Sequence, residues 1–458
     1  MLEPGFRLDS VTVNGEQREA FILTQRAPGL TITTCSGDAN LRDTWNGLAE
    51  ILLRELSFLS DSAGQIYYYY KGCYRLDFNE QVLNCLITNF CTHHKTPELS
   101  IASNARKILD HIAARVPQTP LYPPVSSICF ENGIYDLRSQ ALIPHSPNIH
   151  SLIQIPAIYD ANAKGAVWQR YIEQVVPKDC VPVIWQMLGL LMVPFTKAQK
   201  AIILLGEGSN GKSLFLEGVQ RLLGEANFST LTLSQLNQRF FTSALLWKLA
   251  NISTEESISK LEDTTVFKAL AAGEPISIDI KHKQPIKAKM FARLVLATNC
   301  LPSTLDTSTG FFRRFAIIPF PNTFKNDPAK YANTLRLLSQ PEELSAAVNL
   351  ALAALPNTLD YGITDTPSMR KELEQYVDEQ VPERKFLDSR LEDNPRGVIE
   401  KADIYAAYKE FCEEIGCKMS NREQFWHMVK KLRRSWGTTR MRKDGKQIYM
   451  TTGCVWRD

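Results

Sequence analysis

The sequence has no uninterrupted apolar stretch of membrane-spanning length. The longest candidate, Val183–Phe195, is broken by Gln186 and Pro194, which excludes a spanning helix and any membrane partner there. No basic segment followed by an apolar one opens the chain at Met1, so no secretory signal is expected and the expected compartment is the cytoplasm. The ten cysteines are scattered. Cys412 and Cys417 come closest to a pair, but no second pair at zinc spacing accompanies them, and His93-His94 near Cys91 reads as loop or core. Reduced thiols fit this pattern. A dominant charge is missing too. The balance of 52 Lys and Arg against 49 Asp and Glu leaves +3, so any surface for a polyanion has to be local. Repeats and low-complexity tracts are absent. With 44% hydrophobic and 22% charged residues, the 458-residue chain reads as globular and multidomain.

What is present is concentrated in one run. The apolar Ala201–Leu205 leads into Gly206-Glu207-Gly208-Ser209-Asn210-Gly211-Lys212-Ser213, and Leu214–Val219 follows with helical spacing. Strand, glycine-rich loop, Lys-Ser and helix is the order of a phosphate-binding loop. Backbone N–H groups in such a loop curl around phosphates, and the new helix points its positive end at them. Gly206, Gly208, Ser209, Asn210 and Gly211 are the expected cradle. Lys212 is expected to reach the β and γ phosphates, and Ser213 to hold Mg²⁺. ATP and Mg²⁺ are the expected cofactors.

Further candidates sit at strand ends. Trp247–Thr254 predicts a second buried strand ending in Glu255-Glu256. These are either the acidic groups that hold Mg²⁺ and polarise water or two solvated glutamates on an exposed loop. Phe291–Asn299 predicts a third strand, whose Asn299 is placed to orient water or sense a γ-phosphate. Arg313-Arg314 precede the strand run Phe315–Phe320; they serve transition-state charge, here or in a neighbouring subunit, or form a surface salt-bridge pair. Ile276–Lys289 alternates, turns at Lys281-His282-Lys283 and returns basic, either a hairpin that grips a phosphate backbone or a solvated turn.

Around this centre, residues 1–120 read as a mixed accessory region. Leu41–Leu59 has helical spacing. Ile66–Tyr70 and Cys73–Leu76 predict a hairpin about Lys71-Gly72, its tyrosines either stacking on bases or packing across strands. Ile101–Val116 predicts a helix, and Phe130–Leu137 a hairpin centred on Asn132-Gly133. Val167–Val176, Val181–Met192 and Leu335–Leu355 read as helices, and 364–400 as a helix and a linker. Beyond lie a helix ending at Gly416, a second opened by a Ser420-x-x-Glu423 capping box, and strands 438–442 and 447–451 about Asp444-Gly445. Helix, helix, hairpin is the order of a winged helix. Between 418 and 446, ten Lys and Arg face only Glu423 and Asp444. Arg433, Arg434, Arg442 and Lys443 are the expected DNA contacts of that patch.

Taken together, these residues resemble a superfamily 3 helicase of the phage, plasmid and poxvirus primase–helicase branch. The order is the same: phosphate loop, acidic strand end, basic hairpin, Asn-ended strand, arginine. So is the compactness, with about 100 positions from Lys212 to Arg314. The resemblance implies a multidomain α/β chain: an AAA+-like P-loop NTPase core with a parallel sheet, preceded by an α+β and helical accessory region and followed by a winged-helix domain. It implies an accessory domain at 1–120, a poxvirus-type N-terminal and helical collar region at 121–198, the ATPase core at 199–360, a linker at 361–398 and the winged helix at 399–458. It further implies Lys212 and Ser213 at phosphate and Mg²⁺, Glu255 and Glu256 shared between Mg²⁺ and water, Asn299 as sensor, Arg314 as trans-acting arginine, and Lys281, His282 and Lys283 on single-stranded DNA. A Glu-Glu pair stands where many members have Asp. The implied activity is ATP-driven 3′-to-5′ helicase action by a homo-hexamer on single-stranded and forked DNA, with a separate primase or polymerase as a further partner. No Asp-x-Asp pair or zinc-binding cysteine set precedes residue 120, so primer synthesis by this chain is not expected. The alternative is an ATP-switched replication initiator that binds an origin and unwinds little. A protein-remodelling or packaging ATPase fits the hairpin and the short spacing less well.

Overall fold

A computed structural model describes residues 6–13, 16–23, 49, 52–53, 56–60, 66–76, 102–116, 126–194, 199–254, 260–261, 263–280, 285–304, 306–325, 327–417, 419–443 and 446–457. The chain forms two units. One comprises Met1–Ala163, Met192–Pro194 and Leu222–Asn227; the other comprises Lys164–Leu191, Phe195–Arg221 and Phe228–Asp458.

The first unit contains small antiparallel sheets. Phe6–Val13 pairs with Glu16–Leu23. Phe58–Ser60, Ile66–Tyr70 and Cys73–Leu76 form a second sheet. Its turn is at Lys71-Gly72, both with positive φ (45° and 93°), as a two-residue turn matched to strand twist requires. The tyrosines take the packing alternative: Tyr67 and Tyr68 are buried, and Tyr69 meets Tyr74 edge-on at 5.1 Å. Ala49, Leu52 and Leu53 are helical. The helix expected to Leu59 gives way to the Phe58–Ser60 strand, and most of that stretch lies outside the described residues. Ala102–Arg115 is a helix, as expected. A third sheet joins Ser127–Phe130, Gly133–Asp136 and Ala141–Ile143. Its turn is Glu131-Asn132 rather than Asn132-Gly133. Gly133 already pairs with Phe130 and has no room for a Cβ, which would meet the Ile143 carbonyl at 2.8 Å.

In the second unit, five parallel strands lie in the spatial order Phe228–Ser229, Ala250–Ser253, Arg293–Thr298, Ala201–Leu205, Phe315–Pro319. Ala201–Leu204 is at most 2% exposed, because both faces of the sheet are covered. Each such Ile or Leu contributes roughly 1.5–3 kcal/mol by burial. The Ala201–Leu205 strand lies between two strands that come later in the chain. Its outgoing loop therefore opens where the strand order reverses, beyond the carboxyl ends of the sheet.

The helices after the sheet differ from expectation in an instructive way. Pro328–Leu338 and Pro341–Tyr361 are separate helices where one was expected over Leu335–Leu355. The stretch expected as a helix and linker holds two helices, Pro367–Gln380 and Pro382–Arg390, and then a strand, Leu391–Glu400. Val381 ends one helix and begins the next, and it is buried in the same apolar cluster as the sheet. All four helices open on proline, whose missing N–H costs nothing in a first helical turn.

Leu391–Glu400, Lys446–Trp456 and Gly437–Lys443 form a three-stranded antiparallel sheet. Helices Lys401–Glu414 and Arg422–Leu432 cover one face through Ile404, Tyr408, Phe411, Phe425 and Val429. The second helix is capped by Asn421, which accepts from Gln424 N–H at 2.9 Å. Ser420, the expected cap, instead donates its hydroxyl to Glu383.

Candidate functional site

The loop after Ala201–Leu205 is built by its neighbours. Gly206 N–H donates to the Thr298 carbonyl at 3.2 Å, and Phe320 N–H donates to the Leu205 carbonyl at 2.7 Å. Gly206 is obligatory: a Cβ there would lie 2.1 Å from Asn210 Nδ2 and 2.6 Å from the Phe320 carbonyl. Gly208 and Gly211 have φ of +113° and +91°, open to glycine without strain. A Cβ on Gly211 would also strike Tyr171 and Val175 at 2.9 Å. Those two residues lie on helix Val167–Val175, and the Tyr171 hydroxyl donates to the Gly211 carbonyl at 2.6 Å. Ser209, at φ 49°, accepts from Phe324 N–H at 2.7 Å. Helix Lys212–Leu223 starts immediately after Gly211.

Lys212 is 6% exposed. Its ammonium donates to the Gly206 carbonyl (2.6 Å), Asn210 Oδ1 (3.1 Å) and Asn299 Oδ1 (3.2 Å). All three acceptors are neutral, and burial holds the ammonium below the usual lysine range. Asn210 Nδ2 is buried with no hydrogen-bond partner among the described residues. A cavity of about 1010 Å³ opens here. Gly208–Leu214, Thr254, Ala297–Cys300, Tyr171, Lys325, Lys330 and Tyr331 are among the residues that line it. An ammonium with neutral partners, an unsatisfied amide N–H, and glycines that leave no room for a Cβ suit a polyphosphate.

The structure thus brings Gly206, Gly208, Ser209, Asn210, Gly211, Lys212, Ser213 and Asn299 together. Glu255 and Glu256 lie outside the described residues; Thr254, which precedes them in the chain, lines the cavity. Lys281, His282 and Lys283 also lie outside them. The arms of their hairpin, Pro275–Ile278 and Ile286–Lys289, pair antiparallel as expected. Arg314 is not among the cavity-lining residues of its own chain. Its Nε donates to the Lys268 carbonyl at 3.1 Å and its Nη1 to the Gly310 carbonyl. Arg433 pairs with Asp388 and lies over the Trp436 ring at 5.7 Å. Arg434 is exposed, Arg442 borders a smaller cavity beside Met441 and Trp456, and Lys443 ends its strand.

Sequence reading missed Tyr171, Lys325, Lys330 and Tyr331, whose only signal is proximity in space. It also missed Arg239-Phe240-Phe241. Phe240 takes φ 71°, rare for a bulky residue, and is 41% exposed; Phe241 is 37% exposed. The Arg239 guanidinium lies 4.9 Å from the Phe240 ring centre and pairs with Asp279, just past the first hairpin arm, at 2.8 Å.

Asp306 lies between hairpin and arginine in the chain. It accepts from Lys268 Nζ at 2.7 Å, Thr264 Oγ1 at 2.8 Å and Ser308 N–H at 3.1 Å. Burial alone would raise its pKa; the bonds from Lys268, Ser308 and Thr264 outweigh that and hold it well below the usual carboxylate range. A depressed folded pKa stabilises the native state above the unfolded value, near pH 4, and that contribution is lost as pH falls through the folded value. Asp306→Asn should therefore cost about 1–2 kcal/mol at neutral pH and flatten the acid limb of stability. Chemical denaturation of both proteins from pH 7 to pH 3 measures this; parallel pH curves refute it.

Three family matches divide the chain. Residues 50–177 match the D5 N terminal like family, residues 204–314 a family of unknown function (DUF5906), and residues 380–457 the RFX DNA-binding domain. A candidate helicase, L207/L206 of Acanthamoeba polyphaga mimivirus, is 24% identical over 210 residues, 43% of this chain and 22% of that protein. The chain therefore matches well under two thirds of this relative's length. The apo structure of the NrS-1 C-terminal region shares the fold, with a TM-score of 0.53 at 14% identity, covering 89% of this chain and 98% of that one. No helix among the described residues is long and apolar enough to cross a membrane. The D5-like region and the helicase relative make the chain similar to phage-type primase–helicases, with a mixed α/β fold around a five-stranded parallel sheet.

Proposed function

We propose that this chain is the ATP-driven DNA helicase of a phage or other mobile element, a P-loop motor of the superfamily 3, AAA+-like kind. In this reading it works in the cytoplasm as a homo-hexameric ring, moves 3′-to-5′ on single-stranded DNA, and serves replication beside a separate primase or polymerase. The observation that supports it best is the convergence of Gly208–Ser213, Asn299 and the Thr254 strand end on one cavity beyond the carboxyl ends of parallel strands.

ATP is the substrate of that cavity. The loop N–H groups hold its phosphates, and Lys212 exchanges a neutral acceptor for a phosphate oxygen. Ser213 and Glu255 would hold Mg²⁺, which when bound neutralises phosphate charge. Glu256 takes the proton of the attacking water, Asn299 orients that water, and Arg314 serves the neighbouring subunit's site. Lys281, His282 and Lys283 grip the DNA strand, and Phe240 gives a base a ring to stack on. Phe240→Ala should weaken single-stranded DNA binding by about 1–3 kcal/mol, read by fluorescence anisotropy, with ATP affinity unchanged. DNA affinity within twofold of native removes Phe240 from the path.

The order from Pro382 to Trp456 is helix, strand, helix, helix, strand, strand. We read it as a winged helix, with Lys430, Arg434, Arg440 and Arg442 toward duplex phosphates. The RFX DNA-binding match there favours a second reading, an ATP-switched initiator that recognises an origin. Alanines at Lys281, His282 and Lys283 separate the two. A motor keeps basal ATPase and loses unwinding; an initiator keeps its origin binding and function. The primary experiment is unwinding of a 3′-tailed fork with ATP. Hydrolysis that leaves forks of either polarity intact would exclude the motor.

A further inference from the structure

We infer that Lys268 is the positioning residue for Arg314, and the joint through which the basic hairpin acts on that arginine; the inference rests on the motor reading above. Lys268 lies on helix Thr265–Ala272. That helix ends at Gly273, whose φ of 66° turns the chain, and the first hairpin arm begins at Pro275. Helix and hairpin are thus joined with almost no slack.

Lys268 fastens the arginine-bearing segment at both ends. Its ammonium holds Asp306 at 2.7 Å, with the two side chains 33% and 19% exposed. Its carbonyl accepts Arg314 Nε at 3.1 Å. Between those points the segment has little freedom. Ser308 caps the short Thr309–Phe312 helix by accepting Phe311 N–H at 3.2 Å. Phe311 and Phe315 pack on Phe267, next to Lys268, with ring centres 5.7 and 5.1 Å away. Asp306 also accepts from Thr264, at the start of the same helix. A shift of the hairpin moves its helix, and the helix carries Asp306 and Arg314 with it. A partly exposed ion pair contributes little to stability by itself. Its value here is geometric: a reacting charge misplaced by about 1 Å loses on the order of 100-fold in rate.

The test uses the full chain, with single-stranded DNA and ATP. Lys268→Met keeps the aliphatic stem and removes the charge. It should lower kcat for ATP by about 10–100-fold, leave KM for ATP within twofold, and abolish stimulation by single-stranded DNA. Lys268→Arg keeps the charge and should recover most of kcat. Mixed with Lys212→Ala subunits, Lys268→Met should gain activity above either protein alone, because the partner supplies a correctly held arginine. A Lys268→Met protein with native kcat and native stimulation overturns the inference. So does a defect confined to KM, or a Lys268→Arg protein no better than Met. If the native chain hydrolyses no ATP, the motor reading itself falls and takes the inference with it. A stimulated native chain beside an equally stimulated Lys268→Met protein sinks only the role of Lys268.

Discussion

Lys212→Ala is expected to lower ATP turnover by about 10²–10³-fold and to abolish fork unwinding. The ammonium is the one group at the loop that combines full charge with burial, and its three neutral partners leave that charge uncompensated. In such a site a cation acts on phosphate oxygens far more strongly than in water. The fold should survive. The substitution removes a desolvated charge, which offsets the hydrogen bonds lost at Gly206, Asn210 and Asn299. Thermal melting within a few degrees of native would show this. Turnover within tenfold of native would mean the cavity is not where ATP is hydrolysed.

Arg314→Ala is expected to cost about 10³-fold or more in turnover with ATP binding intact. The geometry adds a sharper expectation. Arg314 is absent from the lining of its own chain's cavity and is held by the Lys268 and Gly310 carbonyls. If it serves a neighbour, Arg314→Ala and Lys212→Ala proteins mixed in equal amounts should recover activity that neither shows alone. Some interfaces then pair an intact loop with an intact arginine. Mixtures no better than the average of the two would make Arg314 a residue of its own subunit.

Much of the parallel-sheet core was legible because its signals are local. An unbroken apolar run, a glycine loop and Lys-Ser need no distant partner to be read, and the strand, loop and helix lie where that pattern puts them. The hairpin arms about Lys281–Lys283 were legible for the same reason. The errors came from residues with two meanings. Pro341 falls inside the single helix expected over Leu335–Leu355, and Pro367 and Pro382 inside the stretch expected as a helix and linker, whereas each opens a helix at the position where proline is harmless. That ambiguity hid two helices and the Leu391–Glu400 strand. Asn132 reads as a turn residue ahead of glycine. It sits in the turn, but its side chain clamps the Tyr159 backbone at 2.9 Å in both directions. Arg433 reads as one more cation in a basic run; only the fold shows it beside Asp388. Phe240 was invisible because an exposed aromatic and a buried one look alike in sequence.

The bond from Tyr171 to the Gly211 carbonyl bears on how the molecule can be cut. Every motif of the parallel-sheet core lies after residue 199, so a truncation planned from motifs would start there. Yet the loop rests on a tyrosine 40 residues upstream of the carbonyl it holds, and Lys164–Leu191 belongs to the same unit as the sheet. A fragment beginning at 199 would keep its signature and lose the floor of its cavity. A transplantable piece of this chain should therefore start near Lys164, and limited proteolysis should spare Lys164–Leu191.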